Sequence, residues 1–399
     1  MKTIKIINGK LITPYRIIEN GTLVVAGGKI TKFIENKMEP IEKNDEVIDA
    51  QGNYVSPGFI DLHVHGGGGA DFMDCRVDDF LKVARTHSSY GTTALMPTTL
   101  ACELKELEDF FIAYQQALQE NKDGAQFLGA HLEGPYFNAE QRGAQDLKYI
   151  RSPTAYEYKR IIQRFGKFIK RWSVAPELLG SLEMGRLLKE SNILPSIAHS
   201  NATFEEVVKA FENGYSLITH LYSGMSSVHR KKAFRYAGVV ESGFLLEGMD
   251  VEIIADGVHL PAPLLELIYK IKGSDRIALV TDAMRAAGEN VGESILGSKK
   301  SGLPVVVEDG VAKLPSRDSF AGSVATADRL VRSMVNLACI PLPKAIEMVT
   351  ATPARIVGVD LNKGSLTVGK DADIVIFDPS IVVLRTLIRG RTVYSKGVL

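Results

Sequence analysis

Little in this chain favours disulfides, charge-driven partners or a membrane. Its three cysteines, Cys75, Cys102 and Cys339, are odd in number and far apart, with no Cys-x-x-Cys pair. That excludes a disulfide framework and a thiolate zinc site, so any bound metal must rely on histidine and carboxylate ligands. Forty-seven basic residues balance forty-seven acidic ones. No global field therefore draws the chain to nucleic acid or an anionic membrane, and anion recognition has to be local. Nowhere do the roughly eighteen consecutive apolar residues of a membrane-spanning helix occur. The opening stretch, Met1-Lys2-Thr3-Ile4-Lys5, runs into strand-like alternation without an apolar signal core, and the expected location is cytoplasmic. Internal repeats and low-complexity tracts are also missing.

What is present is apolar material, 45% of 399 residues, enough for a sizeable core. The start of the chain reads as short strands broken by Gly, Asn and Pro, at 3–7, 22–26, 29–34 and 46–49, which predicts a small β unit. After Ser56-Pro57-Gly58 the rhythm changes to short apolar segments alternating with longer amphipathic ones, the pattern of a parallel βα sheet. Strands are predicted at 59–64, 93–96, 127–131, 172–174, 194–198, 216–219, 251–255 and 276–280. Helical patterns cover 78–89, 103–120, 181–191, 203–213, 263–272, 326–338 and 344–349. Short strands return at 365–368, 373–377, 382–388 and 392–395.

Eight βα units predict an α/β fold, a (β/α)8 TIM-like barrel over residues 57–345, since closure leaves no sheet edge. The terminal segments, residues 1–56 and 346–399, would each be marginal alone and are expected to pair into one small β-sandwich domain.

Chemistry in such a barrel sits at the C-terminal strand ends. His63 and His65 are two apart at the first of these ends, so both imidazoles face one way and can reach one ion. Other predicted ends carry His131-Leu132-Glu133, His199, His220, Asp256-Gly257-Val258-His259 and Thr281-Asp282. This concentration predicts a metal site of His63, His65, Glu133, His199 and His220, with Asp282 opposite them as the catalytic proton shuttle. Residues 66–69 are four glycines without the Lys-Ser/Thr ending of a phosphate loop, and read as a tight turn. His131 reads as a packing residue behind the site. The fourth strand runs Trp172-Ser173-Val174-Ala175-Pro176-Glu177 and offers no lysine that could bridge two metals, leaving Glu133 as the shared carboxylate.

Together, His63-Val64-His65-Gly66-Gly67, His131-Leu132-Glu133-Gly134-Pro135-Tyr136, His199-Ser200, Thr219-His220-Leu221-Tyr222, Asp256-Gly257-Val258-His259 and Thr281-Asp282-Ala283-Met284 resemble the N-acetylglucosamine-6-phosphate deacetylase family of amidohydrolases. The likeness runs in order to Lys363-Gly364-Ser365-Leu366 and Gly369-Lys370-Asp371-Ala372-Asp373. It implies hydrolysis of an acetamide on an amino-sugar 6-phosphate in cytoplasmic amino-sugar catabolism. It also implies a divalent transition metal, zinc or iron, as one or two ions per chain, and a homodimer. The family's substrate contacts fall on His259, on Gln145 and on Arg230, a phosphate-binding arginine often supplied across the dimer interface. Where the family commonly has Asn-Ala-Met holding the phosphate, this chain has Ser223-Gly224-Met225. Near Phe320, where the family lines its acetyl pocket, larger apolar residues are replaced by Ala325 and Ala327. These departures leave the galactosamine epimer, or another small amide, as an alternative substrate.

Overall fold

The computed structural model describes residues 3–35 and 39–397, so Met1 and Lys2 of the opening stretch lie outside it. After the small β unit the chain lays down parallel strands at Phe59–Val64, Thr92–Pro97, Gln126–Phe127 with Ala130–Glu133, Ile169–Val174, Leu194–Ile197, Leu217–Ile218, Asp250–Ile253 and Ile277–Leu279. They form two hydrogen-bonded groups. In one, Phe59–Val64 and Gln126–Phe127 flank Thr92–Pro97; in the other, six strands follow in chain order from Ala130–Glu133 to Ile277–Leu279. Parallel bridges join the groups at both seams, Thr98 to His131 and Val64 to Ala283.

Side-chain alternation explains why these segments are strands and what each face buries. In Phe59–Val64, Ile60 and Leu62 pack with Ala278, Val280, Ala354 and Val357. Asp61 and His63 point the other way, where the Asp61 carboxylate accepts from Thr281 Oγ1 at 2.6 Å. Trp172 and Val174 join the main core, while Arg171 and Ser173 face their polar counterparts on neighbouring strands. The ladder is thus apolar toward its helices and polar inside.

The helical patterns hold to within a residue or two, for example Leu104–Glu120 and Ala262–Lys272. The helices Ala155–Phe165, Val239–Leu245 and Ala351–Ile356 come in addition, as does an antiparallel sheet of Glu293–Leu296, Leu303–Glu308 and Val311–Lys313. The strand expected at 127–131 is broken, because Gly129 at φ +126° turns the chain between its two halves.

Strands from both ends of the chain form one eight-stranded sheet, in which Ile374–Phe377 pairs antiparallel with Tyr54–Pro57. Ile374 and Ile376 enter the core of this sheet with Ile6, Leu23 and Val55. Val375 and Phe377, on the opposite face, join the main core instead. One strand therefore fastens the terminal sheet to the ladder. Residues 365–368 are not a strand as expected. Gly369 N donates to Ile30 O at 2.8 Å and Lys363 Nζ to Asp371 Oδ2 at 3.2 Å, which bends the segment into turns although Leu366 stays buried.

Candidate active site

His63 lies within its strand and His65 directly after it, with their Nε2 atoms 3.1 Å apart. Glu133 ends its own strand, while His199, His220 and Asp282 follow two or three residues beyond theirs. At these last three positions the backbone turns left-handed, with φ of +46°, +32° and +48°. Such a conformation costs about 1–3 kcal/mol in a residue other than glycine and persists where the surroundings impose it. Here it ends each strand and turns its side chain over the mouth of the ladder.

Glu133 is the hub. Its Oε1 lies 3.0 Å from His220 Nε2, 3.3 Å from His199 Nε2 and 3.4 Å from His63 Nε2, and its Oε2 lies 3.4 Å from His65 Nε2. Asp282 Oδ1 is 3.3 Å from His63 Nε2 and 3.1 Å from His65 Nε2. Two buried triads able to hold a cation share Glu133: His63–His65–Glu133 and Glu133–His199–His220. The carbonyl of Gln141 lies 2.7 Å from His199 Nδ1 and can only accept. Nδ1 is therefore engaged as the donor, and Nε2, which faces Glu133 Oε1 at 3.3 Å, is the nitrogen that points into the cluster.

The charges of this cluster call for a cation. Burial opposes charge on both first-strand rings, but the Asp282 and Glu133 carboxylates prevail and raise His63 to about 9 and His65 to about 10. Burial likewise opposes charge on the carboxylates, yet His63 and its neighbours hold Glu133 well below, and Asp282 below, the ordinary value. Protons on the imidazoles thus do the work that a metal would do.

Since these histidine values are raised, the stability they contribute is full below about pH 6.5 and is lost as pH rises through about 9 to 10. Chelator-stripped protein should therefore show a thermal midpoint that falls from pH 7 to pH 10. Added zinc should restore more of it at the higher pH, because binding no longer has to displace protons. A stripped protein whose midpoint ignores pH over this interval would contradict this electrostatic picture.

Polar neighbours hold the donors in place. Gln145 donates from Nε2 to Glu133 Oε2 at 2.7 Å, and its Oε1 accepts from Ala101 N at 2.9 Å. The residue expected to contact substrate therefore also orients the central carboxylate. Glu177, in the turn three residues beyond the fourth strand, accepts from Ser200 Oγ at 2.7 Å and Asn201 N at 2.6 Å, fastening the loop after His199. His131 is engaged away from the donors, by Ser173 Oγ at 2.7 Å and Thr98 Oγ1 at 3.3 Å.

Above the donors opens a cavity of about 300 Å³, the size of a small-molecule site. Gln145, Ser223, Gly224, His259 and Phe320 line it, with Asp282 at its floor. His259 donates from Nδ1 to Asp256 Oδ2 at 2.8 Å, which leaves Nε2 free, and its ring lies 4.6 Å from that of Phe320. At Gly224, φ is +59° and a Cβ would come within 2.7 Å of His199 Nδ1, so the departure from the family pattern fits a close approach.

Arg230 does not line this cavity; it sits on the exposed hairpin His229–Lys231/Phe234–Tyr236. Nor do Ala325 and Ala327, which are buried in the main core. Sequence reasoning missed Leu100, Asp318 and Ser319, cavity residues on connections without a motif, and Leu296 at the end of the strand Glu293–Leu296.

The pattern that defines the Amidohydrolase family matches residues 54–393. The chain is 36% identical to an N-acetylglucosamine-6-phosphate deacetylase of Lysinibacillus sphaericus, over 94% of this chain and 97% of the relative. It is 33% identical to an N-acetylgalactosamine-6-phosphate deacetylase of Escherichia coli O157:H7, over 96% and 97%. Among solved structures, an N-acetylglucosamine-6-phosphate deacetylase from Pasteurella multocida superposes with a TM-score of 0.91 at 30% identity, covering 99% of this chain and all of that one.

Proposed function

Because the chain belongs to the amidohydrolase family, we propose that it hydrolyses the acetamide of N-acetylglucosamine 6-phosphate to glucosamine 6-phosphate and acetate, in amino-sugar catabolism. The observation that carries this reading is the convergence of five imidazole and carboxylate donors with an ionised Asp282 on the floor of a substrate-sized cavity.

His63, His65, Glu133, His199 and His220 are the residues that would hold one or two divalent transition ions, zinc or iron. Their donor chemistry fits, since His63, His65, His199 and His220 all turn Nε2 toward the Glu133 carboxylate. A bound cation supplies Lewis acidity toward the amide carbonyl and eases deprotonation of water. Asp282 takes the proton of the attacking water and returns it to the nitrogen, which must leave as an amine. His259 contacts the sugar through Nε2 while Asp256 fixes its ring. Gln145, Ser223, Gly224 and Phe320 shape the pocket around the acetamide and phosphate.

The parallel ladder is read as a closed (β/α)8 barrel over residues 57–345, a reading supported by the bridges at both seams. Residues 1–56 with 346–399 are read as the second unit, a small β-sandwich, a reading supported by the core that Ile6, Leu23, Ile374 and Ile376 share, although Ala354 and Val357 of this span pack on the ladder. Helix Leu342–Val349 straddles the second boundary.

A homodimer is supported by the hairpin that carries Arg230, where Phe234 is 72% exposed and Arg230 has no ion pair among the described residues. Arg230 would then reach the phosphate in the second copy. Arg230→Ala should raise KM for the phosphorylated sugar far more than for its unphosphorylated analogue, because the contact is remote from the reacting bond. Equal losses on both substrates would remove Arg230 from the site. A cytoplasmic location accords with a phosphorylated substrate; no helix among the described residues is long and apolar enough to cross a membrane.

The galactosamine epimer is a second reading, favoured by the 33%-identical relative. Acetate release from the two epimers under identical conditions tests the function. Turnover of the glucosamine form is the expected result, turnover of the galactosamine form alone would replace it with the second reading, and release from neither would refute both.

A further inference from the structure

Directly beneath the donors, the ladder interior holds a buried ion pair that the catalytic scheme does not use. Arg171 and Glu252 are both fully buried. Arg171 has five N–H donors, and the structure finds an acceptor for each. Nε donates to Ser196 Oγ at 2.9 Å, and Nη2 donates to Thr219 Oγ1 at 2.6 Å and Glu252 Oε2 at 2.8 Å. Nη1 donates to Glu252 Oε1 and to Leu62 O, the latter at 3.4 Å. Taking two charges out of water is costly and usually brings no net stability, so a pair so completely satisfied calls for another reason.

That reason lies in what the pair touches. Leu62 O is the carbonyl of the peptide that leads into His63. Glu252 Oε2, fixed by the guanidinium, stands 3.9 Å from His63 Nδ1, a fully buried nitrogen with no hydrogen-bond partner. A ring that offers its Nε2 lone pair to a cation must carry its proton on Nδ1, and ligand rings are held by an acceptor for that proton. Both Glu252 oxygens accept from the Arg171 guanidinium, so the group facing His63 Nδ1 is a carboxylate fixed in an ion pair.

We infer that Arg171 and Glu252 form a positioning clamp for His63: Arg171 ties its backbone, Glu252 holds a carboxylate 3.9 Å from its Nδ1, and together they set the affinity of the His63–His65–Glu133 group for a divalent cation. The inference rests on the proposed ligand role of His63. Neither clamp residue lines the cavity, so their effect should appear in metal binding rather than in contact with substrate.

The test is a double-mutant cycle read by zinc affinity, from competition with a chromophoric chelator on the full chain without substrate. Glu252→Gln should weaken zinc binding by about 10–100-fold, the usual cost of removing an outer partner. In the His63→Asn background the same change should cost no more than about twofold, since the ring it serves is gone. A variant carrying both Arg171→Met and Glu252→Leu removes the two charges together and keeps the volume apolar. It should fold with a near-normal thermal midpoint when stripped of metal, yet show the same loss of zinc affinity. This charge-free variant carries the test if Glu252→Gln alone fails to fold. Wild-type zinc affinity in the folded charge-free variant would overturn the clamp, and so would a loss from Glu252→Gln that is equal in both backgrounds. If His63→Asn itself binds zinc as the wild type does, the ligand assignment fails and the clamp fails with it. If only His63→Asn weakens binding, the assignment stands and the clamp alone is refuted.

Discussion

Asp282→Asn is expected to lower kcat by about 10²–10⁴, the range for loss of a general acid–base group, while leaving the fold and much of the bound metal intact. The geometry separates these effects. Asp282 is held in the fold by its backbone, with its N donating to His63 O at 2.9 Å and its carbonyl accepting from Ser323 N at 2.8 Å. The amide of asparagine changes neither bond. What is lost is an ionised oxygen, kept charged by His63 and His65 despite its burial. Metal content and kcat should be measured together. If the variant retains near-normal turnover with metal bound, another group moves the proton, and His259, the cavity histidine with a free Nε2, becomes the leading candidate.

His199→Asn should fail differently. It removes a ring already oriented toward the cluster, because Gln141 O accepts from Nδ1 at 2.7 Å and Nε2 faces Glu133. Metal affinity should fall by more than the roughly 10–100-fold that loss of an outer partner brings, and activity should recover partly as metal is added. Paired titrations distinguish the two variants: added metal rescues His199→Asn in part and does nothing for Asp282→Asn. Rescue of both, or of neither, would mean that ligation and proton transfer are not divided between these residues as described.

Much of the site was legible because each element of it is local. His63 and His65 read as a pair from the two-residue period of a strand, and Glu133, His199, His220 and Asp282 each follow an apolar run that had to end. The supporting residues were illegible for the opposite reason. Arg171 and Glu252 lie 81 positions apart, and neither differs from an ordinary strand charge until the ladder brings them together. Gln145 was found by its motif, but its bond to Glu133 depends on how a loop folds back.

In the fold, parallel strands and amphipathic helices were readable from period. The antiparallel insertion between Glu293 and Lys313 was not, since its strands form a small sheet of their own and the first two bury few side chains. Residues 365–368 misled because Leu366 is buried as a strand residue would be, while the backbone around it is committed to turns. The two alanines expected to alter the acetyl pocket, Ala325 and Ala327, lie in the core, so any change in acyl preference must come from the cavity wall.

The central claim is that this chain cleaves the acetamide of an amino-sugar phosphate with a cation held by His63, His65, Glu133, His199 and His220. The most direct measurement follows acetate release from N-acetylglucosamine 6-phosphate by chelator-stripped protein as one divalent metal is titrated in, with bound metal counted in the same samples. The account predicts no turnover at zero metal and a rate that rises in proportion to occupancy. Full turnover by protein with no bound metal, or none by fully loaded protein on either epimer, would contradict it.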